Sequence, residues 1–181
     1  ETTGNTSYTA ADGTATSGDT YSAGSSGAGE RAFATIASNS NQPMIGAQLS
    51  NQSGSAISEL TITFTTEQWR SGGSSLVDRL VFSISTDASG LGSGTWTTVP
   101  ALDAVAPIQG GTAIVLNGNL PANQMAVSST ITGLSIAVNQ TFWIRWADPN
   151  IAGADDMLGI DDVVISTTGA VDVPPVVTGT S

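Results

Sequence analysis

Residues 58–69, SELTITFTTEQW, alternate between apolar and hydroxyl side chains, with Leu60, Ile62 and Phe64 on one face and Thr61, Thr63 and Thr65 on the other. A period of two belongs to a pleated strand with one face in a core and the other in water. Eight further short runs follow the same logic: Arg31 to Ile36, Pro43 to Leu49, Arg79 to Ser85, Thr95 to Val99, Thr112 to Leu116, Ala126 to Leu134, Thr141 to Ala147 and Leu158 to Ser166. Gly, Ser, Asn and Pro separate them, and nowhere does a core-facing helical stripe of about ten residues develop. The expectation is an all-β fold, a two-sheet β-sandwich of jelly-roll-like form. The turn Ser71-Gly72-Gly73-Ser74 predicts a hairpin joining the 58–69 and 79–85 strands. In TFWIRWA, alternation sets Phe142, Ile144 and Trp146 on one face and Trp143 with Arg145 on the other.

The flanks differ in composition. Residues 1–28 are rich in Gly, Ser and Thr and suit a short edge strand with loops, whereas residues 167–181 carry Pro174-Pro175 in an extended, linker-like setting. The domain reading is therefore a sandwich over 1–166 and a linker or docking tail over 167–181, leading toward a following domain.

What the chain lacks narrows its chemistry. It contains no His and no Cys, and its four cationic residues are all arginine. That excludes imidazole acid/base work, thiol nucleophiles, zinc sites built on imidazole or thiolate, disulfides, Schiff bases and phosphate-loop lysines. A net charge of −11 opposes nucleic acid and anionic membranes as partners. No apolar run of about 18 residues is present, so membrane insertion by a helix is not expected. The residues Glu1-Thr2-Thr3-Gly4 have neither a basic start nor an apolar stretch, so an exported chain of this kind has already lost its signal. Composition of this sort suits an extracellular or cell-surface location.

Five carboxylates, Asp148, Asp155, Asp156, Asp161 and Asp162, crowd between two apolar strands beside Asn150. Hard cations such as calcium take six to eight oxygen ligands from flexible loops of this type, although the spacing is not that of an EF-hand. The alternative is turn capping, with Asp161 and Asp162 on opposite faces of a strand. Each arginine has an acid close in sequence, Glu30 with Arg31, Glu67 with Arg70, Asp78 with Arg79 and Arg145 with Asp148. Internal ion pairs are one reading; a polar and aromatic ligand surface of Glu67, Trp69 and Arg70 is the other. Trp96 and Trp143 are further candidates for stacking on sugar rings. With 15 acids present, a chance glycosidase-like pair proves nothing, and the chain is read as a non-enzyme.

The segments Gly29-Glu30-Arg31-Ala32, Thr66-Glu67-Gln68-Trp69-Arg70, Asp78-Arg79-Leu80-Val81-Phe82, Gly94-Thr95-Trp96-Thr97, Leu116-Asn117-Gly118-Asn119 and Phe142 to Trp146, through Asp155-Asp156 to Ile160-Asp161-Asp162, occur in that order. Together they resemble an N-terminal module of large bacterial secreted proteins, which continue into Ig-like repeats, lamin-tail-like modules, or nuclease and metallophosphoesterase domains. The resemblance covers residues 8–166 and implies a jelly-roll β-sandwich. Its Ile160-Asp161-Asp162-Val163 strand is similar to the closing strand of calcium-bearing carbohydrate-binding modules, in which an Asp of that strand meets an acid from the N-terminal region, here Asp12, Asp19 or Glu30. Val173-Pro174-Pro175-Val176-Val177 looks like the approach to an Ig-like domain. The functional expectation is a non-catalytic, calcium-stabilised binding module for a glycan or matrix component. The alternative is a structural subunit of a fibre, surface layer or matrix that adds strands to copies of itself.

Overall fold

The structure is a computed structural model that describes residues 8–167; the expected tail over 167–181 lies outside them but for its first residue. In chain order the strands are β1 (Thr9–Ala11), β2 (Asp19–Ala23), β3 (Ala32–Ile36), β4 (Met44–Ser50), β5 (Leu60–Ser71), β6 (Arg79–Ser85), β7 (Thr97–Thr98), β8 (Ala104–Val105), β9 (Ile114–Val115), β10 (Gln124–Ile131), β11 (Thr141–Ala147) and β12 (Met157–Ser166). The larger sheet runs β1-β2-β3-β12-β5-β10, with β9 also on β5; the smaller runs β4-β11-β6-β7, with β8 on β6. Every pairing is antiparallel except β1 with β2. This is the two-sheet β-sandwich that the strand pattern predicts.

The core is the sum of the alternating faces. Leu60, Ile62 and Phe64 of β5 and Leu158 and Ile160 of β12 meet Leu80, Phe82 and Ile84 of β6 and Phe142, Ile144 and Trp146 of β11. On the far face of β5 the threonines are half-buried, and Thr61 bonds the Thr130 hydroxyl across the strand pair at 2.8 Å. Trp146 joins the layers: its ring stands edge-on to Phe64 of the opposite sheet and to Phe82 of its own, at 5.1 Å in each case. Its indole N–H donates to the Leu102 carbonyl at 3.3 Å, so the polar end of the ring is satisfied where it is buried.

The expected β5–β6 hairpin does not form. The two strands lie in different sheets, and residues 72–78 carry the chain across from one to the other. Both strands have an apolar face, and in this fold those faces bury each other across the layers rather than lying side by side. The glycines serve that crossing: a Cβ on Gly72 would sit 2.1 Å from the Ala154 carbonyl, and Gly73 has φ +80°. The strand is irregular at Asp161 and Asp162, where the Asp161 carboxylate accepts from the Asp162 amide at 2.8 Å. A bulge lies between Asp161 and Val164, with Asp162 at φ 50°.

A second, smaller cluster covers the outer face of the larger sheet, where Ala11, Tyr21, Ala23, Ala34 and Ile36 enclose Trp69 and Met157. Residues of the N-terminal strands β1–β3 thus share a cluster with Trp69, near the end of β5.

Trp146→Ala removes the ring that links the layers and is expected to cost about 3–5 kcal/mol in urea unfolding. Trp146→Phe keeps most of the packing and is expected to cost clearly less; equal losses would contradict this account of the core.

Candidate functional site

The interior of the sandwich changes character at one end. Beyond Phe64 the inward positions of β5 are Thr66 and Gln68, both buried, and the strand termini around them bring carboxylates together. Asp148 follows β11, Asp78 precedes β6, and Asp155 precedes β12. Each of the three offers a carboxylate oxygen, and these oxygens lie within 4.8 Å of one another. Asp78 accepts from the Arg79 amide at 2.8 Å and the Asp156 amide at 2.7 Å, and Asp155 accepts from the Ile151 amide at 2.9 Å. Asp148 is 2% exposed, and neither of its oxygens has a hydrogen-bond partner. The buried Thr35 hydroxyl, also without a full hydrogen bond, is close enough to offset part of the cost of charging it.

Neighbouring Asp156 is engaged differently. Its carboxylate accepts from Gln68 Nε2 at 2.8 Å and the Gly72 amide at 2.6 Å, while Gln68 is itself locked to the Ile108 backbone. Burial drives all four aspartates toward the protonated form. Asp78 is raised to about 7, first by burial and then by Asp156 and Asp155. Asp148 is raised well above the usual carboxylate range by burial, with Asp78 adding to it. Asp155 and Asp156 are also raised, burial again leading. Asp155 opens onto a cleft of about 260 Å³ lined also by Thr16, Asn39, Arg70 and Asn150.

A second acidic group lies on the outer face of the larger sheet and joins Glu30, Glu67 and Asp161. Glu67 accepts from Trp69 Nε1 at 2.9 Å and from Gln124 Nε2 at 3.1 Å, and the Asn119 amide bonds Glu30. The buried Oδ1 of Asn119 has no hydrogen-bond partner. Burial raises Glu67 and Asp161, with Glu30 contributing to both shifts.

The five aspartates of residues 148–162 are therefore divided. Asp148 and Asp155 meet Asp78, Asp156 stands beside them, Asp161 belongs to the outer group, and Asp162 is exposed on the bulge. Asp78 escaped sequence reasoning because it reads as the partner of Arg79. Neither Thr35 nor Asn119 carries a local signal.

The aromatic candidates are also separated. Trp69 is buried under Gly118, whose Cβ position lies 2.3 Å from the indole nitrogen, so its ring faces the second cluster and not solvent. Arg70 turns instead to the cleft. On the outer face of the smaller sheet, loop 86–96 folds back and buries Leu91. There the Arg145 guanidinium lies 3.9 Å over the half-buried Trp96 ring, bonds Ser83 Oγ at 3.1 Å and reaches the Leu91 carbonyl. Trp143, flanked in register by Gln48 and Ser85, is buried on that face with its N–H unpartnered.

None of the expected arginine pairs with sequence neighbours forms. Among the described residues the ion pair is Arg79 with Asp103, at 3.8 Å. The reason is geometric: each expected partner is one or three positions away, and in extended chain an odd separation sends side chains to opposite faces.

No protein-family model matches the sequence, and no curated protein matches it. Solved structures with similarity include the carbohydrate-binding module TmCBM61 in complex with beta-1,4-galactotriose, at 13% identity over 78% of this chain and 73% of that chain, TM-score 0.41. The K3 adhesin domain of Lys-gingipain from Porphyromonas gingivalis is similar at 12% identity over 75% and 73%, TM-score 0.44. CBM28, a carbohydrate-binding module specific for non-crystalline cellulose, is similar at 11% identity over 86% and 84%, TM-score 0.37. At such distance the binding surfaces have to be read from this chain's own side chains.

With a chelator present, stability is expected to depend on pH in an unusual direction. The buried carboxyls hold protons more tightly in the folded chain than in the unfolded one, so their contribution is full below the ordinary carboxylate range and is lost as pH rises above it, for Asp78 up to about 7. Asp12 and Asp87 are shifted the other way, but both are fully exposed. The thermal midpoint should fall between pH 4.5 and 7.5; a rise over that interval would show that these groups are charged and compensated.

Proposed function

We propose that the chain is a non-catalytic glycan-binding module of a secreted or cell-surface protein, stabilised by calcium. The observation that carries the reading is Trp96, a half-buried ring held against the Arg145 guanidinium on the outer face of the smaller sheet. A flat aromatic ring next to planar and hydroxyl groups complements a sugar, whose C–H faces stack while its hydroxyls seek hydrogen bonds. Thr97 and Thr98 are exposed beside Trp96, and Gln48 is exposed on the same sheet. The partners left out by composition, nucleic acid and anionic membrane, remain disfavoured by the −11 charge. Among the described residues no helix is long and apolar enough to cross a membrane.

Calcium fits the outer group on its chemistry. Glu30, Glu67 and Asp161 supply hard oxygen donors only, the type that calcium accepts, and the Asn119 amide group holds Glu30 in place. An Asp of the closing strand and an acid from the N-terminal region are the pair that the family resemblance implies. These residues would hold the ion, tying the N-terminal segment to β5 and β12. Catalysis has little support: Glu67 is committed to two hydrogen bonds, and the chain has no imidazole, thiol or amine side chain to serve as nucleophile or base.

The test is a glycan array followed by calorimetry on the full chain. Trp96→Ala is expected to weaken binding at least about tenfold, while the thermal midpoint stays near that of the parent because the ring is not part of the core. Absence of binding across a broad array, or unchanged affinity in the variant, would sink the reading.

A second reading, assembly with copies of itself, is favoured by β10. This eight-residue strand ends the larger sheet, and among the described residues no strand pairs with its other edge. Sedimentation over a hundredfold concentration range separates the two: strand addition predicts growing species and their loss in Ser128→Pro, and a constant monomer would dispose of it.

A further inference from the structure

We infer that Asp78, Asp148 and Asp155, with the Thr35 hydroxyl, form an interior site for a divalent cation of calcium type, separate from the outer group of Glu30, Glu67 and Asp161. Asp148 carries an unmet demand. A carboxyl that is 2% exposed, with both oxygens unpartnered, would be a heavy cost in any folded chain unless something binds it. Its oxygens face two more carboxylates and an equally unpartnered hydroxyl, and among the described residues no arginine forms an ion pair with any of the three acids. A cation supplies what is missing.

Geometry and donor chemistry restrict which cation. Two ligands on one calcium ion, each at roughly 2.4 Å, can be at most about 4.8 Å apart, and the carboxylate oxygens of the three aspartates lie within 4.8 Å of one another. All donors are hard oxygens, so zinc and copper, which favour nitrogen and sulfur, have nothing to select them. The three aspartates come from loops flanking β6, β11 and β12, which suits the adaptable shell of calcium better than the strict octahedron of magnesium. Asp155 also lines the 260 Å³ cleft, giving the ion a route from solvent and room for the waters that would complete its shell. Bound there, the ion would clamp the smaller sheet, through Asp78 and Asp148, to the larger sheet, through Asp155 and Thr35 of β3.

The inference does not depend on the glycan reading or on the outer calcium site, and stoichiometry separates them. Calcium uptake by the chelator-treated full chain is measured by calorimetry and by metal analysis after dialysis, for the parent, Asp161→Asn, Asp148→Asn and the double variant. The expected result is two ions per chain in the parent, one in each single variant and none in the double. Within the Asp161→Asn background, Asp148→Asn or Asp155→Asn should weaken calcium binding about 100-fold or more, since loss of an outer-shell partner alone costs 10- to 100-fold. The two are independent checks, and Asp148→Asn is expected to fold because the amide has the shape of the protonated carboxyl and carries no charge. Parental affinity in both Asp148→Asn and Asp155→Asn would overturn the site, as would the absence of uptake in Asp161→Asn alone. Calcium-induced stabilisation of Asp161→Asn that persists unchanged in the double variant would overturn it as well.

Discussion

Trp146 is the contact on which the sandwich depends. Two sheets with apolar inner faces can slide or splay unless something large fixes their separation and register. The Trp146 ring does this by standing edge-on between Phe64 of one layer and Phe82 of the other, with its only polar atom tied to the Leu102 carbonyl. Once that spacing is set, the aliphatic residues of β5, β6, β11 and β12 fill the remaining volume. Everything of functional interest lies outside this apolar centre: the aromatic patch behind the smaller sheet, the acidic group behind the larger one, and the buried aspartates at one end of the interior.

That end is where the chain departs from what stability alone would favour. An apolar layer continued through Thr35, Thr66, Gln68, Asp78 and Asp148 would pack without desolvating a charge. Instead the fold buries a set of acids that burial first, and mutual repulsion after it, push toward the protonated form. Gln68, Asp156 and Gly72 complete one hydrogen-bonded network, while Asp148 and Thr35, close to each other, make no full hydrogen bond. Within a few residues a satisfied polar network thus stands beside buried groups that the protein itself leaves without full hydrogen bonds. The interior ion proposed for this end would also explain why the chain carries so many acids with so few cations: part of its negative charge is matched from solution.

The strands were legible in the sequence because period two is a local property. Leu60, Ile62 and Phe64 announce the face that they bury, and Phe142, Ile144 and Trp146 do the same. The crossing at residues 72–78 was not legible, since a Gly-Ser turn looks alike whether the next strand pairs with the last or faces it across the core. The arginine partners were misread for a related reason: proximity along an extended chain is separation in space when the offset is odd. Trp69 stands in a polar stretch that reads as a ligand surface, and it is enclosed by residues distant in sequence, Ala11, Tyr21, Ala23, Met157 and Gly118.

The sequence by itself determined that this chain is an all-β sandwich, that its chemistry is confined to carboxylates, hydroxyls, amides, arginines and aromatic rings, and that hard cations are the metals it can hold. Those conclusions follow from alternation and from the absence of His, Cys and Lys, which no fold can reverse. Only the tertiary structure decided which acids meet. Asp78 is 70 residues from Asp148 in the chain, and Glu30 is 131 from Asp161, so their grouping depends on how two sheets close on each other and carries no local signature.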